Sequence, residues 1–387
     1  MRRGPVVTKS SPVVVVPSES EKTTAPLAGD TVALSSFDMC MLPFPTRLLI
    51  AFDRPIHEPA ETIRRALSLA LAHYHPVAGR LDGEGGIACT GEGVPFVAAL
   101  ASCALGDAMA TLQQMDLTIS CPGVFCRDVV DPLLLVQVTE FSCGGYVVGV
   151  TWNHILADGA GMGQFLTAVG ELARGVSPPS VAPVRRWDEA LLRLPASVIA
   201  AQRSTAADTS GAPPRRSLAR HDIALPPSLI ARVKGESGCT AFEAVTAAIW
   251  RSRARATMSG GGAAPPRRSP SCATRAKEDV PDLLSRLSGG GGGGGTATTA
   301  AAEGRRPEWY SGLVVISWMN LGIDAADFGG GRPSRVMWHE ELALFPCCIV
   351  CPPCKGEALN VCSLCVKPEH SDAFLGEVTK LSHGDLI

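Results

Sequence analysis

"VTWNHILADGAGMGQFL", Val150 to Leu166, decides how the chain is read. An apolar, β-branched run leads into His154. Asp158 follows, then Gly159, Gly161 and Gly163 open an amphipathic stretch that closes at Gly175. Three readings compete. A dinucleotide loop needs G-x-G-x-x-G between strand and helix, but position 164 is Gln. It also needs an acidic residue about 20 residues on, at the end of a second strand, where "VSPPSVAPVRRW" runs instead. A purely structural turn would let His154 fill space at the strand end and Asp158 cap the helix. A catalytic turn would use His154 as a base titrating near neutrality, at the carboxyl end of a strand where α/β proteins place reactive groups. Asp158 would then hold the loop rather than shuttle protons. The spacing speaks against the first reading; local residues leave the other two open.

Outward from this stretch, strand and helix signals alternate. "PLLLVQVTEFSCGGYVVGVTWNH" predicts a hairpin turning at Cys143-Gly144-Gly145. "PTRLLIAFD" (45–53) predicts a strand, and "EPAETIRRALSLALAHYHPVAGRL" a helix with Pro59 near its start. "SPVVVVPS" near the amino end predicts one short strand. Pro, Ser, Arg and Ala dominate a crossover linker at 181–220. "TAFEAVTAAIWRSRARA" predicts a helix with Thr240 and Glu243 as a capping box. The arginines at 251, 253 and 255 suit the helix dipole at its carboxyl end. From 258 to 306 the chain is mostly Gly, Ala, Pro, Ser and Arg, with seven consecutive glycines at 289–295. That composition buries too little apolar surface to offset ordering, so disorder is expected there. "SGLVVISWMNLGI", "CCIVCPPC" and "ALNVCSLCVKP" predict strands, and "HSDAFLGEVTKL" a final helix capped by Ser371. The expected fold class is α/β with mixed sheets, in an amino-terminal domain at 1–180 and a carboxyl-terminal domain at 221–387.

Bulk properties narrow the function. A net charge of −2 over 387 residues gives no nucleic-acid surface. No apolar run reaches the ~18 residues of a membrane span, and the first residues lack a signal-peptide core. Fourteen cysteines then read as reduced cytosolic thiols. No G-x-S-x-G elbow, H-E-x-x-H or P-loop occurs. A His without a nearby nucleophile suits direct deprotonation of an acceptor. Cys348-x-x-Cys351-x-x-Cys354 and Cys362-x-x-Cys365 invite a zinc or iron–sulfur reading. The loop between these units is far shorter than the ~15 residues usual in zinc ribbons, so the expectation is two strands with Cys as a small hydrophobe and no metal.

Taken together, the motifs resemble the plant BAHD acyltransferases, which use coenzyme A thioesters. "HILADGAG" resembles their H-x-x-x-D-G motif and "LSSFDMCM" (34–41) their amino-terminal L-S-x-x-D. "LAHYHPVAGRL" resembles the exit of their first helix, "FEAVTAAIWRSRARA" a carboxyl-domain helix, and "DFGGGRP" (327–333) their D-F-G-W-G-x-P. Gly330 stands where that motif has Trp, and the strands expected between Trp250 and Val314 are missing, as after an internal deletion. The resemblance implies a chloramphenicol-acetyltransferase-like fold, two α/β domains around a channel, the second incomplete. It implies an acyl-CoA co-substrate, an alcohol or amine acceptor, no bound cofactor and a cytosolic monomer. His154 would be the base. Asp158 would be structural and turned to a salt bridge, and Asp327 would brace the D-F-G loop. Gly159, Ser317 and Trp318 would line the substrate channel, with Ile316 in place of a frequent Thr. Asp38 is expected to be structural. A catalytically inactive relic of the same family remains the first alternative, and a cysteine-rich metal-binding protein the second.

Overall fold

The computed structural model describes residues 5–19, 30–40, 45–119, 130–181, 183, 194–195, 218–258, 310, 312–339, 346–353 and 358–383. Most of the linker, all but the first residue of the low-complexity stretch, and Cys354 lie outside them.

The chain begins with β1 (Val7–Lys9), β2 (Val13–Val15), β3 (Thr31–Ala33), α1 (Ser36–Cys40) and β4 (Pro45–Phe52). Next come α2 (Pro59–His73), β5 (Arg80–Leu81), β6 (Gly86–Ala88), β7 (Val94–Ala101), α3 (Leu105–Ala108), β8 (Leu134–Phe141), β9 (Tyr146–Asn153) and α4 (Gly159–Ala173). The second half holds β10 (Ala219–Leu225), α5 (Pro227–Ser237), α6 (Ala241–Met258), β11 (Val314–Ser317), β12 (Arg335–Trp338), β13 (Cys347–Val350), β14 (Leu359–Val366) and α7 (Ser371–His383).

The first sheet has seven strands in the order β1-β7-β8-β9-β4-β12, with β2 also on β7. The hairpin forms as its sequence predicts: β8 and β9 are antiparallel, with Glu140 opposite Tyr146. The valine-rich amino end makes two strands rather than the one expected. Both pair with β7, and the break falls at Ser10–Pro12, where proline has no N–H for a ladder. β9 lies between β8 and β4 and is buried along its whole length, so it reads as continuous apolar sequence rather than alternation. Helices α2 and α4 pack together beside this sheet, Tyr74 meeting Phe165 edge-on at 5.2 Å.

A second sheet, β10-β14-β13-β11, is backed by α5, α6 and α7. Period-two alternation splits β13 between two cores. Cys348 and Val350 join the core under the helices, whereas Ile349 and Cys351 join the core of the first sheet. The halves are further tied by β12. Sequence order counts it in the carboxyl-terminal domain, yet it pairs antiparallel with β4 as the edge of the first sheet. Burial of Val336 and Met337 there favours that partner.

Caps behave in three ways. Thr240 and Glu243 form the predicted box: Thr240 N–H donates to Glu243 Oε2 at 2.8 Å, and Glu243 N–H donates to Thr240 Oγ at 3.2 Å. Asp38 is structural as expected, exchanging hydrogen bonds with Ser35 at the start of α1. Ser371 does not cap. It follows the short turn Pro368–His370 as the first residue of α7, and its hydroxyl meets His221 Nε2 at 3.3 Å. Arg253 also differs from the dipole expectation. It is buried, donates to the carbonyls of Cys365 and Tyr310, and lies 4.8 Å from the Tyr310 ring centre.

Candidate active site

The turn after β9 is fixed by its own polar groups. Trp152 Nε1 donates to the Ala157 carbonyl at 3.0 Å, and the Ile155 N–H donates to Asn153 Oδ1 at 3.0 Å. Asp158 caps α4, its Oδ1 accepting from the Gly161 N–H at 2.7 Å. The backbone donors at the helix start are thereby partly satisfied. His154 sits inside this turn, half-buried, just where the chain leaves a fully buried strand. Among the described residues no side chain hydrogen-bonds its imidazole. The expected salt bridge of Asp158 is not among the described ion pairs; its carboxylate caps the helix through the Gly161 N–H instead.

The glycines of α4 serve packing. A methyl group at position 163 would collide with the Leu321 carbonyl oxygen, and one at 159 with the Leu321 side chain. A full turn and more onward, a methyl at 170 would meet the backbone of Asp327. The segment 321–327 therefore lies along one stripe of α4 at backbone distance. Gly159 is the first residue of that helix, next to the turn that carries His154. Trp318 is buried in the core shared with Trp152 and Met162, and its N–H donates to the Val350 carbonyl at 2.8 Å. Ser317 accepts from the Met319 N–H at 3.3 Å, so its hydroxyl is turned toward its own chain.

Asp327 sits at the other end of α4. Its Oδ1 accepts from the Gly329 and Gly331 N–H groups, each at 2.8 Å, and Arg174 lies 3.6 Å from its Oδ2. Gly170, which touches Asp327, is 11 residues from Gly159, about 16 Å along a helix. Asp327 thus braces the D-F-G loop far from His154. Phe328 anchors that loop, buried and edge-on to Phe52 at 5.3 Å. At Gly330, where the related motif has Trp, a Cβ would come within 3.0 Å of the Arg54 carbonyl oxygen.

The profile of the Transferase family matches residues 6–262. The chain belongs to that family, the plant BAHD acyltransferases. Acyl transferase 15 of Oryza sativa subsp. japonica is 36% identical over 450 aligned positions, covering 97% of this chain and 98% of the relative. That alignment is longer than the chain's 387 residues, so the rice protein carries residues this BAHD chain lacks. The profile match stops where the low-complexity stretch begins. Vinorine synthase shares the fold, with a TM-score of 0.68 and 20% identity over 97% of this chain and 98% of that one. TRI101 of F. sporotrichioides, solved with coenzyme A and T-2, gives 0.61 and 15% identity over 91% and 99%.

Further features of the BAHD chain bear on the other sequence expectations. The strands predicted around the cysteines form, and no group of three or more His, Cys, Asp or Glu able to hold a metal occurs among the described residues. Cys351 and Cys362 lie 3.7 Å apart, sulfur to sulfur, and this contact together with burial pushes Cys351 well up. No described helix is long and apolar enough to cross a membrane. Sequence reasoning missed a cleft of about 900 Å³ between the two sheets, lined by Arg47, Gln113, Asp116, Arg220, Asp222 and His339 among others. The available signal was Arg47, a lone charge inside an otherwise apolar strand.

Proposed function

We propose that this chain moves an acyl group from acyl-CoA to the hydroxyl or amine of a small acceptor, with His154 as general base. The observation that carries the reading is the position of His154. It is half-buried at the mouth of a turn whose other polar groups are already committed, beside the helix start that packs on the 318–322 segment. The imidazole takes the acceptor proton as oxygen or nitrogen attacks the thioester carbonyl. The carbon–sulfur bond then breaks, and the proton passes to the CoA thiolate, giving ester or amide and free CoA. A thioester is activated enough for this chemistry to need no metal and no resident cofactor. Asp158 and Asp327 act as supports, Gly159, Ser317 and Trp318 as the channel wall next to the base. The protein works as a cytosolic monomer. TRI101, solved with coenzyme A and a small acceptor, supports the donor class.

The test is thiol release from benzoyl-CoA and acetyl-CoA against a panel of alcohols and amines. Turnover that His154→Ala abolishes supports the proposal; equal turnover in the variant sinks it. One observation favours a second reading, a BAHD fold without turnover. Among the described residues strand β11 ends the second sheet, with Val314 and Ile316 exposed at 41% and 43%. Under that reading acyl-CoA still raises the melting point, by about 2.7 kcal/mol of stabilisation at a hundred times its dissociation constant, with no product formed.

A further inference from the structure

We infer that Trp152 is a positioning residue for the proposed base, its indole N–H closing the turn on which His154 stands. The inference rests on the reading of His154 as that base. It begins with the path of the chain. Strand β9 ends at Asn153 and α4 begins at Gly159, so His154 to Asp158 carry the chain from sheet to helix. Trp152 Nε1 donates to the Ala157 carbonyl at 3.0 Å. That bond reaches from the strand, across His154, to the residue before the helix cap. His154 therefore lies inside a loop closed by a side chain.

The two ends of the bond differ in what holds them. Trp152 is 1% exposed and lies between Thr46 on β4 and Leu134 on β8, so its ring is fixed to the sheet. Ala157 is half-buried and Asp158 exposed, so the far end takes its place from the ring. The first part of the turn has its own bonds: the Leu156 N–H donates to the Asn153 carbonyl at 2.9 Å, and the Ile155 N–H to Asn153 Oδ1. Asp158 holds the helix start through the Gly161 N–H. The indole bond ties the peptide between these two points. An indole has one polar atom, a donor, and a buried one needs an acceptor. Here that acceptor is the backbone of the base-bearing turn. A ring of the same shape without the N–H would leave the Ala157 carbonyl to water, which its half-buried position admits. The sheet would keep its packing while the backbone under His154 gained freedom. Displacing a base by about 1 Å costs up to ~10² in rate.

Two replacements in the full chain test this, assayed by thiol release from benzoyl-CoA and acetyl-CoA. Trp152→Phe removes the N–H along with part of the ring. Replacing Trp152 by 3-benzothienylalanine puts sulfur where the N–H stood and keeps the ring, so it stands should the Phe variant fail to fold. In the sulfur variant the melting midpoint is expected to stay within about 4 °C of the parent. Its kcat is expected to fall about tenfold, with KM for acyl-CoA within about twofold. Amide hydrogen exchange needs no turnover, and over 153–158 it is expected to speed about fivefold. Unchanged kcat in the sulfur variant overturns the inference, as does unchanged exchange. A parent that releases no thiol fails the catalytic reading instead, and exchange then judges the hold of Trp152 on the turn by itself.

Discussion

The two larger of the molecule's three described sheets differ in their edges. The first has its middle strand β9 buried end to end and takes an edge strand, β12, from the other half of the chain. The second has four described strands and stops at β11 with two aliphatic side chains facing outward. The base candidate hangs from the first sheet, whereas the 318–322 wall opposite it hangs from the second. Holding a His in place thus needs only the first core, but building a cleft needs both.

The largest effect expected from that contrast concerns rate alone. His154→Ala is expected to lower kcat/KM by about 10²–10⁴ while leaving the melting point where it was, since the turn is held by its neighbours. A drop below tenfold, or a lost transition, would break the separation between base and scaffold. Next comes acid sensitivity at the junction. His339 is held at about 4 by burial, Arg220 and Arg47, with Asp116 opposing, against about 6.5 unfolded. Its contribution is therefore present above pH 6.5 and lost as pH falls toward 4, because only the unfolded chain takes up the proton there. That is at most about 3 kcal/mol. Urea melts from pH 7 to pH 4 check it: His339→Gln is expected to flatten the slope.

Packing separates the halves further. Gly163→Val forces a side chain into the Leu321 backbone and is expected to cost roughly 1–3 kcal/mol. Gly235→Ala, in open space on α5, is expected to be stabilising by up to about 1 kcal/mol. Chemical denaturation reads both, and equal effects would erase the contrast. The caps should be alike across the halves. Asp158→Ala and Thr240→Ala are each expected to cost about 1 kcal/mol, and Asp158→Asn, which keeps an acceptor, to retain both stability and turnover. Turnover lost in Asp158→Asn with stability intact would give the carboxylate a chemical role. The smallest effect belongs to the β11 edge. Ile316→Lys is expected to shift stability by less than about 0.5 kcal/mol and to lower concentration-dependent association in light scattering.

Much of this was legible in the residues. The hairpin turning at Cys143–Gly145, the α4 boundaries and the Thr240–Glu243 box follow from periodicity and capping, which act within a few residues. Asp327 as a brace was legible through its motif, since the loop it closes is local. The two strands in place of one at the amino end were not, because their separation depends on where β7 offers partners. Nor was Arg253, whose acceptors come from Cys365 and Tyr310, more than fifty positions away.

By itself, then, the sequence determined the local frame: a strand running into His154, a glycine-opened helix after it, and motifs in the order that marks the family. Those depend on neighbours along the chain. The tertiary structure alone decided that β12 crosses to the first sheet, that the α4 glycines exist for Leu321 and Asp327, and that Arg47, Arg220 and His339 share one cleft. Such choices depend on which distant surfaces exclude water together, and no local pattern of residues encodes the partner.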